Sequence, residues 1–399
     1  MAAEISSPVL ETVWDTETLD TGQIHDEVSR LWDQVGDTPA ATASAPEDDV
    51  VALGPATMRA STINLIAVAG SDEHVDFIRD TVGKLRDFVP SRTVVIQILE
   101  ERDTPPSYNV TVELREPTSQ RTRAGIHFET ITIRTDARQV GTLASLLRPL
   151  LMSELPTYLW WPRDVPHGRT LFSDLVDIVD RLTIDSSRLI HAPGDVERIR
   201  SIRTTIASEL ITGDFAWLRL SSWRQLLAQF FDPEHTQDCL TSISEVNIAY
   251  AAPRPDGASG LPAACLMAGW LSSRLGWTIV DPMETSKTGT SWTAMRATIG
   301  HRKRDIMLRM TPEPAPHALF SLRSVELIAV GEHPGSFRVE RTDTDDLVTS
   351  SETPDMPHVS RMVYSKRPDS ATMLASELQR LSSDRVYEEA LESALKLFA

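Results

Sequence analysis

Two cysteines, Cys239 and Cys265, are all that the 399 residues contain. A disulfide scaffold is excluded, and there is no CxxC and no Cys/His cluster at zinc spacing, so no metal and no other cofactor is expected. Sparse thiols fit a reducing cytosol, and a cytoplasmic protein is expected. Cys265 sits in the apolar run "LPAACLMAGW", where a buried, inert thiol is the ordinary outcome. Long apolar runs are also missing. No stretch reaches about 18 consecutive apolar residues, so no membrane span is expected. The opening "MAAEISSPVLETVWDTETLD" has no basic region followed by an apolar one and does not read as a signal peptide.

Positive charge is scarce. Lys and Arg total 39 against 57 Asp and Glu, a formal net charge of −18. Such a surface repels phosphate backbones and anionic lipid, so neither nucleic acid nor membrane is an expected partner. The one compact basic run, His301-Arg302-Lys303-Arg304, lies between two strand-like stretches and reads as a solvated hairpin tip. Catalytic signatures are absent as well. There is no GxGxxG after a strand, no GxxxxGK[ST], no HExxH and no GxSxG. Ser393-x-x-Lys396 and Lys287-Thr288-Gly289 imitate two β-lactamase boxes, but in reversed order and with the first in the last helical turns. None of the ten histidines pairs with a carboxylate or cysteine at a diagnostic spacing.

What is present is ordinary globular composition, 41% hydrophobic and 24% charged, in a chain long enough for two or three domains. Residues 1–50 form an acidic leader whose only base is Arg30. Ile24, Val28, Leu31, Trp32 and Val35 recur there at helical spacing, which predicts one amphipathic helix. Its apolar stripe must dock on this chain or on another. "DTPAATASAPEDD" follows as a linker.

Residues 51–212 read as an α/β domain with a mixed sheet and βαβ units. "STINLIAVAG" and "SRTVVIQIL" are buried strands around a helix capped by Ser71. "YNVTVELRE" and "HFETITIRT" alternate cleanly and predict a hairpin with one wet face. "QVGTLASLLRPLLMSEL" is a helix that Pro149 disturbs near its end. Residues 213–399 read as an α+β domain. "DFAWLRL" is taken as extended, "SSWRQLLAQFFD" and "GLPAACLMAGWLSSRLGW" as helices, and the succession of strands after Trp277 as an antiparallel sheet before a final helix.

Three groups of residues stand out. Trp160 and Trp161 are adjacent, so on a strand their rings point to opposite faces. Either both faces are packed, or one ring and Arg163 face a partner. Trp217, Arg219, Trp223 and Arg224 form a second aromatic and arginine-rich group; such residues are enriched at interaction hot spots, although core packing is the commoner fate of a single Trp. Asp185 and Ser186 end a parallel strand, where open α/β sheets bind ligands, and Arg188 is near enough to serve an anionic one, as are Arg163 and Arg169. The alternative is that Asp185 and Ser186 cap the following turn.

The ordered blocks "STINLIAVAG", "PSRTVVIQIL", "LPTYLWW", "DRLTIDSS", "DFAWLRLSSWRQLLAQFFD" and "LMAGWLSSRLGW" resemble the OpcA family of glucose-6-phosphate dehydrogenase assembly proteins of cyanobacteria and actinobacteria. The resemblance runs from about Met58 to "DRVYEEAL". It implies a non-catalytic assembly factor and allosteric activator of the dehydrogenase oligomer that opens the oxidative pentose phosphate pathway. The competing expectation is a phosphosugar-binding sensor or an enzyme of sugar metabolism with a site near Asp185 and Ser186. Some family members are linked to redox control through cysteines. Here the tail "ALESALKLFA" has none, and Cys239 and Cys265 are not closely spaced.

Overall fold

A computed structural model describes residues 9–36, 58–59, 61–85, 89–99, 107–115, 126–162, 170–188, 210–254, 259–299, 301–314, 321–365, 367–380 and 382–398. In chain order it begins with β1 (Val9–Thr16), α1 (Thr21–Gly36), β2 (Met58–Arg59), β3 (Ile63–Ala69), α2 (Asp72–Leu85), β4 (Ser91–Leu99), β5 (Tyr108–Arg115) and β6 (Ile126–Asp136). Next come α3 (Val140–Leu147), β7 (Thr157–Trp161), α4 (Thr170–Val176), β8 (Arg181–Ile184), β9 (Ile211–Asp214), α5 (Phe215–Arg219), α6 (Ser221–Gln229) and α7 (Glu234–Gln237). Then β10 (Ile243–Ala251), α8 (Leu261–Leu275), β11 (Thr278–Ile279), β12 (Glu284–Thr285), β13 (Ser291–Ile299) and β14 (Arg302–Glu313) follow. The chain finishes with β15 (Leu322–Ala329), β16 (Gly335–Arg341), β17 (Leu347–Thr353), β18 (Met356–Val363), α9 (Ser370–Gln379) and α10 (Arg385–Leu395). These elements make two compact units: Met1–Ile184 with Ser370–Leu381, and Asp185–Asp369 with Ser382–Ala399.

The first unit holds a mixed sheet with strand order β1-β5-β6-β4-β3-β7-β8. The pairings from β6 to β8 are parallel, and β5 and β1 extend the sheet antiparallel. Helices α2 and α4 join adjacent parallel strands, β3 to β4 and β7 to β8, which are two βαβ units. Helix α2 forms where the sequence places it. The Ser71 hydroxyl accepts the His74 N–H at 3.3 Å, Asp72 and Glu73 stand in the first turn and Lys84 in the last, and Val75, Ile78, Val82 and Leu85 are buried. Pro149 ends α3 and leaves one 3₁₀ turn, Arg148–Leu150.

The leader helix α1 docks on this same unit. The Asp20 carboxylate caps it, accepting the Gly22 N–H at 2.8 Å, and Ile24, Val28 and Leu31 are buried. Trp32 donates from Nε1 to Glu129 Oε2 on β6 at 3.1 Å, and Glu129 Oε1 pairs with Arg92 on β4 at 2.7 Å. Strand β1, which the leader's acidic sequence did not announce, pairs with β5 from Val9↔Arg115 to Thr16↔Tyr108. Helix α9 closes the unit by packing on α2. The Tyr158 hydroxyl donates to the Leu378 carbonyl at 3.1 Å, and Arg181 donates to the Arg380 carbonyl.

The expected wet face of the β5–β6 hairpin is not wet. Thr111, Glu113, Thr130 and Thr132 are buried. Arg79 from α2 reaches down to Glu113 at 2.7 Å, so the polar alternation serves a covered ion pair instead of solvent.

The second unit contains a sheet ordered β11-β13-β14-β10-β15-β16-β17-β18. It is antiparallel except for the parallel pair β10–β14. His301 is exposed at the β13–β14 turn, as expected of the basic run, while Arg304 donates to the Thr241 carbonyl at 3.1 Å. Helix α8 is buried along most of its length, starts with Pro262 in its first turn, and stops at Gly276, whose φ of 65° is the left-handed conformation glycine tolerates. Gly269 lets α10 approach it, since a Cβ there would run into the Ala390 carbonyl. The stretch Phe215–Arg219, expected to be extended, is helix α5. Asp214 before it supplies the reason, because its side chain accepts the Ala216 N–H at 2.9 Å and caps the turn.

Candidate functional site

Strand β7 runs between β3 and β8, and all five of its residues are buried. Trp160 is 0% exposed and Trp161 2%. The Trp160 ring meets Phe77 of α2, centroids 5.9 Å apart, and the Trp161 ring meets the edge of Phe172 of α4 at 5.3 Å. Two helices on opposite faces thus account for two adjacent tryptophans. The outward ring considered from the sequence is corrected: both are packing residues. Arg163 and Arg169 lie outside the described residues, and so does the side chain of Arg188.

The strand order reverses between β3 and β7, the place where open α/β sheets hold ligands. Here β3 leads through Gly70 and Ser71 into a helix whose first turn carries Asp72 and Glu73. A phosphate at that helix N-terminus would meet two carboxylates. Asp72 already accepts the Gln97 Nε2 at 3.0 Å, and Arg134 donates to the other end of Gln97 at 2.7 Å.

Asp185, Ser186 and Arg219 do come together, in the second unit. Arg219 forks onto Asp185 with Nη1 to Oδ1 at 2.8 Å and Nη2 to Oδ2 at 2.7 Å. Ser187 donates its N–H at 3.2 Å and its hydroxyl to the same Oδ1, and Arg219 Nη1 also reaches the Ser187 hydroxyl at 3.1 Å. Burial, the largest influence, pulls the Arg219 pKa down, but the charge and hydrogen bonds of Asp185 together with the charge of Asp214 outweigh it, and the net shift is upward. An arginine committed in this way has its charge neutralised within the chain. The turn-capping alternative for Asp185 is the one the hydrogen bonds match.

Behind this pair sits Asp214, which sequence reading did not select. It accepts the N–H groups of Ser186 at 3.0 Å and Ala216 at 2.9 Å on Oδ1, and the Tyr387 hydroxyl at 3.1 Å on Oδ2. Burial, the largest influence, pushes its pKa up to about 6 against those hydrogen bonds. A carboxyl poised there has the proton affinity of a general acid or base. Its oxygens are nevertheless occupied by a helix cap, a turn and a tyrosine. Asp214 before the apolar "FAWL" was legible as a cap; Tyr387, 173 residues away, left no local signal.

Trp217 and Trp223 are each 1% exposed, so the core fate holds for both and their candidacy as interface residues is corrected. Trp217 donates to Asp384 Oδ2 at 2.8 Å and packs on Tyr387, centroids 5.7 Å apart. Arg224 lies over the Trp217 ring, 3.3 Å from its centroid, and Arg341 lies over Trp223 at 5.5 Å. Cys239 and Cys265 are free and buried, and burial pushes the Cys265 thiol up to about 12. Among the described residues there is no group of three or more His, Cys, Asp or Glu that could hold a metal ion, and no helix long and apolar enough to cross a membrane.

Residues 84–201 match the family model described as the glucose-6-phosphate dehydrogenase subunit N-terminal domain, and residues 211–391 match that of its C-terminal domain. The chain belongs to the OpcA family. Curated relatives carrying the name OpcA come from Synechococcus elongatus, 30% identical over 47% of this chain and 40% of that one, and Nostoc punctiforme, 28% identical over 40% and 32%. A third, from Synechocystis sp., is 28% identical over 38% of this chain and 30% of the relative. The matched part is thus well under half the length of these OpcA proteins. Among solved structures, the super-repressor mutant of Gal80p from Saccharomyces cerevisiae covers 80% of this chain and 85% of its own at 11% identity and a TM-score of 0.42. An oxidoreductase from Bacillus cereus covers 84% and 96% at 10% identity and a TM-score of 0.34. Likenesses at that level carry no function to an OpcA chain.

Proposed function

We propose that this chain is a non-catalytic partner of glucose-6-phosphate dehydrogenase, promoting its assembled form and activating it allosterically in the oxidative pentose phosphate pathway. The observation that carries the reading is the match of both dehydrogenase-subunit domain models, in order, over about three quarters of the chain. The hydrogen bonding of the acids supports it. Asp185 and Asp214 serve the chain's own turns and helix caps, and Arg219 is spent on Asp185. A phosphosugar site near Asp185 and Ser186 would need a cation other than Arg219.

A binder moves an equilibrium only through its different affinities for the two states. A coupling of about 1–3 kcal/mol changes substrate affinity by roughly 5–150-fold, and the effect is reciprocal. Titrating the dehydrogenase with this chain should therefore lower the Michaelis constant for glucose-6-phosphate. The sugar phosphate should in turn tighten the complex. Equal dissociation constants with and without substrate would remove the allosteric mechanism. Unchanged kinetics with greater resistance to dilution would leave assembly alone, and turnover by the isolated chain would overturn the non-catalytic reading.

A further inference from the structure

Strand β18 is the outermost strand of the second unit's sheet and pairs with β17 along its inner side, with Thr349 opposite Arg361 and Ser351 opposite Val359. All of its residues but Val363 are exposed. Natural edge strands are usually blunted by charge, proline, bulges or a covering element, because an open row of backbone groups invites another strand. Here the edge carries Met356, Val359 and Met362 at 41, 45 and 54% exposure, followed by Tyr364 at 84%. Pro357 blunts only its beginning.

The edge also has a roof. Helices α6 and α7 stand beside β17 and β18 and leave a cleft of about 230 Å³, lined by Leu226, Phe230, Thr349, Met356, Val359 and Val363. The register puts Val359, Arg361 and Val363 on the same face, and all three line this cleft. A strand added alongside β18 would continue the sheet and send alternate side chains under the helices. Residues opposite Val359 and Val363 would find apolar walls. The residue between them would meet the Arg361 guanidinium.

Charge selects the occupant. The chain as a whole is at −18, yet β18 itself, residues 356–363, carries His358 and Arg361 and no acid, while Arg367 beyond it pairs with Asp345. A second copy fits poorly. Antiparallel self-pairing centred on Arg361 would set the two guanidiniums opposite each other, and any self-pairing would join two strongly negative bodies. An extended segment with an acid flanked two residues away on each side by apolar residues satisfies both the cleft and the charge.

We infer that β18 and the cleft beside it accept an acidic, extended segment of a partner protein as an added strand and, resting on the role proposed above, that this partner is the dehydrogenase. The test uses the full chain and the dehydrogenase oligomer, with affinity measured by calorimetry and backbone amide exchange followed over residues 358–364. The expected results are slowed exchange there in the complex, weaker binding at higher salt, and affinity reduced about tenfold or more by Arg361→Glu and by Val359→Asp. Arg361→Lys should bind within about threefold of the parent. Both positions are exposed, so unfolding curves of the variants should match the parent and exclude a folding defect. Variants that bind like the parent, or lost affinity without slowed exchange, overturn the strand addition and leave the dehydrogenase role standing. Absence of any complex with the unaltered chain overturns both. A dimer of this chain that Val359→Asp abolishes would assign the strand to a second copy and overturn the inference.

Discussion

Arg219 and Asp185 meet fork to fork, two parallel hydrogen bonds of 2.8 and 2.7 Å between a largely covered guanidinium and a buried carboxylate. Removing one partner of such a pair strands the other. Arg219→Ala is expected to cost about 3–5 kcal/mol in urea unfolding, and Arg219→Met with Asp185→Leu to recover a large part of that loss. A loss below about 1 kcal/mol for the single variant would show the pair to be solvated.

Asp214 makes stability depend on pH in a defined direction. Its pKa is raised from 3.8 to about 6 on folding, so the folded state holds this proton more tightly. Its contribution is fullest below pH 3.8 and is lost as the pH rises through about 6, an effect of roughly 3 kcal/mol. Asp214→Asn keeps an oxygen for the Ser186 and Ala216 N–H groups, and the Tyr387 hydroxyl can turn to accept. Unfolding from pH 4 to 7 should therefore show a flatter profile for Asp214→Asn, with stability at pH 7 no lower than that of the parent.

For Trp161→Ala the expectation is a folding defect. The ring is 2% exposed and packs against Phe172, so truncation should cost about 3–5 kcal/mol. A variant of unchanged melting temperature that no longer associates with the dehydrogenase would return this tryptophan to the interface.

Trp32→Phe isolates the polar contact that anchors the leader helix. It keeps most of the aromatic area and removes the Nε1–H donor to Glu129. A hydrogen bond to a charged group contributes about 1.5–3 kcal/mol, so thermal unfolding should report a loss in that range. No change would mean that Arg92 alone suffices for Glu129.

The thiols should be silent while the chain is folded. Burial raises the pKa of both Cys239 and Cys265, the latter to about 12, and neither is exposed. A thiol reagent should react only at the rate of unfolding. Rapid labelling of either residue at neutral pH would contradict this.

Local pattern carried much of the architecture. The apolar runs of β3, β4 and β7, the capped stripe of α2 and the stripe of α1 all specify their elements from neighbours a few residues away. What failed to show depends on distant partners. β1 is an acidic octapeptide whose pairing with β5 crosses about a hundred residues. The polar face of β5 and β6 looks solvated until Arg79 arrives to pair with Glu113. The tryptophans were conspicuous, yet their burial follows from helices on both faces of β7, which adjacency by itself leaves open. The Asp185–Arg219 contact and the Tyr387 hydroxyl on Asp214 are tertiary facts with no spacing to betray them.

Helix α9 lies beyond the second sheet in sequence but belongs to the first unit, where it packs on α2 and receives the Tyr158 hydroxyl at Leu378. During synthesis, then, the N-terminal half emerges long before the piece that completes it. The N-terminal core is therefore completed only once Ser370–Gln379 has been made, and a nascent chain stalled anywhere short of residue 370 holds an unfinished one.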